Sequence, residues 1–270
     1  MSKNYDPKHV RIDGQLDLGL ELDEKDRANM KAKQKDIAYK EEFEYKTRNI
    51  YNEKLDEFSD FVLKDNEPEA LKNKWSSEVF ENSNPIYVEV GTGYGHFMQE
   101  FCENNSEINF CGIDYRFKRS FELARRLSKL PHQNFRYIRA KGERIEFMFA
   151  EREVDKVFLF FPDPWPKKRH NKNRIFQEPF LNACFKILKP GGELQVKTDH
   201  QGYFEWMKEV AQQYRLDYPE RFELSLESSK LRQEYPEHFL SQYKTKFEKL
   251  FTAKGFDVNA IVLKKASDEY

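Results

Sequence analysis

Cysteine is scarce: Cys102, Cys111 and Cys184 stand far apart in 270 residues and form no C-x-x-C pair. That excludes a disulfide framework and a thiolate zinc site, and it fits a reducing compartment. Net charge is scarce too, since 46 basic residues against 47 acidic ones leave −1. No global field draws the chain to a polyanion, so any such attraction has to be local. Long apolar runs are missing, and none approaches the ~20 residues that span a bilayer. The opening residues, Met1–Asp6, are polar with no signal-type apolar core. The expected setting is the cytoplasm, with no membrane partner. His96, His132, His170 and His200 lack any metal-ligand spacing, so no metal is expected.

Glycine and proline are absent from Glu21–Asn66, which is dense in both charge signs. Within it, Tyr51, Leu55, Phe58 and Val62 recur at i, i+4, i+7 and i+11, one face of a helix. The pattern predicts a long solvated helix lying on the rest of the chain, with a dimerisation or RNA-gripping helix as the alternatives. Residues 1–80 are therefore expected to be a charged, largely helical extension, and residues 81–270 the main domain. Monomer and homodimer are both left open.

From Pro85 onward strands and helices alternate. Strands are predicted at Ile86–Val90, Asn109–Ile113, Phe135–Arg139, Val154–Phe161 and Glu193–Thr198, with late strands at Phe222–Leu226 and Val258–Leu263. Helices are predicted at His96–Glu103, Arg116–Lys129, Phe180–Leu188 and Gly202–Tyr214, and a turn at Lys189–Gly192. This order implies βαβ units and a mostly parallel sheet.

The segment Val88-Glu89-Val90-Gly91-Thr92-Gly93-Tyr94-Gly95 closes the first of these strands and opens a helix. Glycines at Gly91, Gly93 and Gly95 let backbone N–H groups approach a ligand closely. The dinucleotide fingerprint wants its third glycine one place later, where His96 stands, so a nicotinamide dehydrogenase is disfavoured. Asp114 ends the next strand, where an acid accepts hydrogen bonds from a ribose diol. Glu89 suits an ammonium group. Adenosine joined to an amino acid with a cationic sulfur describes S-adenosyl-L-methionine. A tight βα turn beside a solvated aspartate is the plainer reading of the same residues.

The most informative stretch is Phe160-Phe161-Pro162-Asp163-Pro164-Trp165-Pro166, followed by Lys167 to Arg174 with five Lys/Arg residues. Prolines on both sides hold Asp163 in a stiff loop at a strand end. Ligands of open α/β sheets bind outside the carboxyl ends of the strands. The segment thus joins a fixed carboxylate, an aromatic surface and a phosphate-binding run, which points to RNA. Trp165 either stacks a splayed base or lids the core. The basic run either grips phosphates or is a solvated face. Asp199, at the end of a later strand, either converges with Asp163 or caps the next helix.

Together these segments resemble the tRNA (guanine-N7-)-methyltransferase family over about Pro85 to Lys264. The motifs are V-E-V-G-T-G-Y-G, G-I-D-Y-R, F-F-P-D-P-W-P-K-K-R-H-N-K-N-R, L-K-P-G-G, K-T-D and T-K-F-E. The resemblance implies a Rossmann-like class I methyltransferase fold, with a mostly parallel central sheet and helices on both faces. It implies S-adenosyl-L-methionine as cofactor, bound by Glu89, Gly91, Gly93, Gly95 and Asp114, and tRNA as partner. It implies Asp163 as the active-site acid, and Lys167, Asp199, Thr245, Lys246, Phe247 and Glu248 as substrate contacts. Arg169, His170, Asn171, Lys172, Asn173 and Arg174 would then bind RNA. Departures are Lys141, with Glu143 two places on, where the family carries an acid after the third of these strands, and Asp114 where glutamate is usual. The N-terminal region lies outside the match.

Guanine N7 carries a free lone pair, so its methylation needs alignment more than a base. Asp163 then either stabilises charge developing on the ring or accepts hydrogen bonds from guanine N1–H and the 2-amino group. A methyltransferase acting on another RNA, or a non-catalytic RNA-binding protein on a degenerate methyltransferase fold, are the competing readings.

Overall fold

The computed structural model describes residues 37–45, 48–130, 134–245, 248–249, 255 and 257–267. Its strands are β1 (Val62–Lys64), β2 (Ile86–Val90), β3 (Asn109–Ile113), β4 (Phe135–Arg139), β5 (Val154–Phe160), β6 (Leu188–Thr198), β7 (Phe222–Ser228) and β8 (Asn259–Lys265). Among the described residues they form one sheet in the order β1-β4-β3-β2-β5-β6-β8-β7. Pairing is parallel from β1 to β6, while β8 runs antiparallel to both β6 and β7. The parallel strands read as near-continuous apolar runs because helices cover both of their faces.

Strand alternation sorts the side chains into two cores. Val88, Val90, Cys111, Ile113, Val157, Leu159, Leu194 and Val196 pack under the helices Glu178–Ile187 and Gln201–Asp217. Phe110, Phe135, Tyr137, Phe158 and Phe160 face the helices His96–Asn104 and Phe117–Leu127. The second core is mostly aromatic: the Phe97 ring lies 5.3 Å from Phe158 and 4.9 Å from Phe160. Burying each such side chain is worth roughly 1.5–3 kcal/mol, which locks the helix that follows the glycine loop onto the sheet.

The long helix expected over Glu21–Asn66 is not found in its described part. A short helix, Ile50–Lys54, is capped by the Asn49 side chain, which accepts from Tyr51 N at 3.0 Å. A single 3-10 turn, Leu55–Phe58, follows it, and then β1. β1 lies parallel to β4, with Val62 opposite Tyr137 and Lys64 opposite Arg139. The open edge of β4 presents unpaired backbone groups, and satisfying them outweighs continuing a helix. Leu55 and Val62 are buried as their pattern predicted, but on two different elements. Residues 21–36 and 46–47 of the predicted helix lie outside the described residues.

Trp75 lies in the same molecule's core, stacked on Phe149 at 4.9 Å with its indole N–H donating to Met148 O at 2.8 Å. The predicted turn Lys189–Gly192 is absorbed into β6 as an irregularity between the pairs Val154–Leu188 and Lys156–Glu193. Among the described residues no helix is long and apolar enough to cross a membrane.

Candidate active site

Strand order reverses between β2 and β5: β3 and β4 lie to one side, β6 and β8 to the other. A crevice opens at the carboxyl ends of the strands at such a switch point. β2 ends there in the glycine loop, and β5 ends there in the Pro-Asp-Pro-Trp loop. Two segments that are 70 residues apart in sequence are thereby placed side by side.

Gly91, Gly93 and Gly95 all take positive φ, at 85°, 62° and 65°. Gly95 is the residue before the helix His96–Asn104, in left-handed geometry. A Cβ there would sit 2.4 Å from Leu123 Cδ1, so both conformation and space demand glycine. Asp114 is buried and turned onto this loop. Its carboxylate accepts from Gly93 N at 2.9 Å and Arg116 N at 2.9 Å, and Arg119 lies 3.4 Å away. The Arg119 guanidinium also covers the Tyr94 ring at 5.4 Å.

Glu89 projects from β2 beneath the loop and is 3% exposed. One of its carboxyl oxygens has no hydrogen-bond partner. Burial pushes its carboxyl up to about 8, Asp114 adds to the rise, and Thr92 and Lys197 oppose it. A buried acid missing a partner, at the floor of a glycine loop, is a fitting receptor for an ammonium group. The donor set therefore fits the amino-acid end of S-adenosyl-L-methionine. Among the described residues no cluster of His, Cys, Asp or Glu could hold a metal ion.

Across the crevice, Phe161 and Trp165 adopt left-handed backbone, with φ of 50° and 45°. Bulky residues rarely do so, and such strain collects at functional loops. Asp163 between them is exposed, and its charge is felt by the buried Tyr203 hydroxyl. Trp165 is 36% exposed, so it is an outward-facing ring and not a core lid. His170 meets it edge-on at 5.8 Å. Lys167, Arg169, Lys172 and Asn173 are exposed, with Asn171 and His170 partly covered, on a 3-10 segment Lys168–Asn173.

Arg174 departs from the expected open basic run. It is 2% exposed, donates from Nε to Pro164 O at 2.8 Å, and lies over Tyr203 at 4.9 Å and Trp206 at 4.8 Å. Its guanidinium secures the strained loop from within, because the loop carbonyls need a donor that three prolines cannot supply.

Asp199 follows β6 and is half-buried, and burial pushes its carboxyl up. It does not cap the next helix: His200 does, accepting at Nδ1 from Tyr203 N at 3.0 Å. Thr245 and Glu248 are also turned inward. The Thr245 hydroxyl accepts from Glu248 N at 3.1 Å, which is a helix cap. Glu248 is fully buried against Lys197 at 2.8 Å and also pairs with Arg232. The expected open base-reading carboxylate is thus an internal clamp in this structure, because the buried Lys197 and the partly covered Arg232 both pair with it. Lys246, Phe247 and His132 lie outside the described residues.

Sequence reasoning missed three working residues. Lys197, His200 and Tyr203 all sit around the end of β6. The legible signal was the K-T-D motif that ends the strand, Lys197 to Asp199.

A family model described as "Putative methyltransferase" matches residues 83–260. The tRNA (guanine-N(7)-)-methyltransferase of Enterococcus faecalis is 38% identical over 180 residues, covering 67% of this chain and 81% of that protein. The chain belongs to this methyltransferase family. The enzyme of the same name from Oenococcus oeni is 33% identical over 198 residues, covering 73% of this chain and 90% of that protein. The family likeness reaches further in one relative. A bifunctional glycosyltransferase/methyltransferase of Fusobacterium nucleatum is 36% identical over 241 residues, 88% of this chain. The chain spans only 36% of that relative's length. Among solved structures, the 16S rRNA methyltransferase KamB superposes with a TM-score of 0.50 at 15% identity, covering 75% of this chain and 94% of that one. This likeness shows the class I, Rossmann-like fold.

Proposed function

We infer that this chain transfers a methyl group from S-adenosyl-L-methionine to N7 of a guanine in tRNA. The observation that carries the reading is the switch-point pairing of an orphaned buried acid, Glu89, with the strained loop around Asp163, in a member of this family. Residues 81–270 are the proposed methyltransferase domain, acting in the cytoplasm.

The cofactor supplies a sulfonium methyl group when bound. Glu89 would hold its ammonium group at the floor of the loop of Gly91, Gly93 and Gly95, whose N–H groups donate to Ile113 O, Asp114 and Thr92 O, so the glycines' part is close backbone approach to the amino-acid end. Asp114 serves two needs, holding the glycine loop and meeting the ribose at the same strand end. Guanine N7, to which that electrophilic methyl group would pass, has a free lone pair, so the protein's part would be alignment and no general base would be needed. Asp163 acts on the guanine as its ring gains positive charge, where a fixed carboxylate stabilises it. Trp165 offers a stacking surface, worth ~1–3 kcal/mol for a splayed base. Lys167, Arg169, His170, Lys172 and Asn173 face the RNA backbone, while the Asn171 side-chain amide is turned inward and would support the segment. Asp199 borders the substrate side, and Thr245 with Glu248 shapes it from within.

Incubation with unmodified tRNA and methyl-labelled cofactor, followed by nucleoside analysis, tests the reading. Labelled 7-methylguanosine is the expected product. Label confined to another RNA, or to another nucleoside, overturns it.

A further inference from the structure

Segment 37–45, which the family match does not include, is stitched to the carboxyl end of β4. Arg144 is buried and bidentate to Glu69, at 2.6 and 2.8 Å. It also donates to Ala38 O at 3.3 Å and to Lys40 O. The Lys141 backbone N–H donates to the Tyr45 hydroxyl at 3.2 Å. Phe43 is buried, 4.7 Å from Tyr45 in an edge-on contact. The Lys141 ammonium lies 5.2 Å from the Phe43 ring and 5.7 Å from the Tyr115 ring. Arg139 closes the group, 5.3 Å from Tyr115 and 5.8 Å from Tyr45.

These residues occupy a definite place along the sheet edge. Glu89 is on β2, Asp114 ends β3, and Lys141 follows β4, the next strand outward. A nucleoside whose amino-acid end meets β2 and whose ribose meets the end of β3 points its base at the end of β4. Tyr115 and Lys141 stand there, both partly exposed. Rings set Lys141 in place by attracting its cation, and Tyr45 fixes its backbone.

We propose that Phe43 and Tyr45 are positioning residues for the cofactor's adenine base, acting through Lys141 and Tyr115. The N-terminal segment thereby completes the adenine compartment, and Lys141 in place of an acid is accommodated by the rings it faces. This rests on the reading of Glu89 and Asp114 as cofactor contacts.

The test uses the full chain, titrated with S-adenosylhomocysteine and with 5′-methylthioadenosine, which keeps the base but lacks the amino acid. Phe43→Ala is expected to weaken both ligands by about three- to tenfold, the range for a lost cation–ring contact. Phe43→Tyr, which keeps a ring, should restore both, and tRNA affinity should not move. Tyr45→Phe keeps the edge-on ring contact and is the second variant if Phe43→Ala fails to fold; it should weaken both ligands in the same sense. Wild-type affinity for both ligands in a folded Phe43→Ala, or in Tyr45→Phe, overturns the proposal alone. A wild-type protein that binds neither ligand overturns the cofactor reading and this proposal with it.

Discussion

Lys197 and Glu248 form an ion pair with no solvent exposure on either side chain, Nζ to Oε2 2.8 Å. The ammonium also donates to Leu240 O at 3.2 Å and Tyr243 O at 2.9 Å, and lies 4.5 Å from the Phe160 ring. The end of β6 is thus tied to the segment that carries Thr245. Burial lowers the Lys197 ammonium, and Glu248 opposes that shift. Glu248→Gln leaves the buried Lys197 ammonium without its counter-charge and should destabilise the fold by about 3–5 kcal/mol, whereas Lys197→Met should cost less because Arg232 still pairs with Glu248. Urea unfolding measures this. An unchanged midpoint with lost tRNA binding would instead make Glu248 a direct substrate contact.

Glu89 gives stability a pH dependence. Its carboxyl sits at about 8 in the fold against an ordinary 4.5. Between those values the native state keeps a proton that the unfolded chain has released. Stability of the free protein should therefore fall as pH rises from about 4.5 to 8, by up to about 1.4 kcal/mol per pH unit, and level off above that window. Glu89→Gln should remove this slope. Melting curves from pH 5 to 8 that stay parallel for the two proteins would contradict it.

Asp163→Asn should remove most turnover while leaving cofactor affinity near wild type, because the carboxylate stands on the β5 side of the crevice, opposite Glu89. Single-turnover methylation and calorimetry separate the two effects. Near-normal turnover in the variant would end the catalytic assignment.

The exposed and buried members of the basic run should behave differently. Arg169→Ala/Lys172→Ala should weaken tRNA binding and reduce the log–log salt slope by up to roughly 1.4, about 0.7 per phosphate contact to a single strand. Cofactor affinity should hold. Arg174→Ala should lower the melting temperature, since it removes the bond to Pro164 O. Titrations across a salt series decide the first point; an unchanged slope would leave the run a solvated face.

Gly95→Ala should cost about 1–3 kcal/mol from overpacking alone, since its Cβ would meet Leu123 at 2.4 and 2.8 Å. Gly93→Ala carries only the left-handed backbone strain, because its nearest neighbour is at 3.8 Å. Thermal denaturation of the two variants should rank Gly95→Ala as the less stable, and the reverse order would refute the steric account.

Local chemistry determined much of this protein from the sequence alone. The bounds of β2, β3 and β4 were legible because buried parallel strands are short apolar runs between turn residues. The glycine loop and the loop around Asp163 were legible because glycine and proline restrict backbone directly, whatever surrounds them. Side-chain partnership was not. Arg174 and Glu248 read as solvent-facing charges, yet each is buried by groups distant in sequence. The apolar spacing from Tyr51 to Val62 fitted a helix, yet the free edge of β4 drew Val62–Lys64 into the sheet. Periodicity reports which residues avoid water, while only the tertiary structure decides which surface covers them and which charges need a partner there.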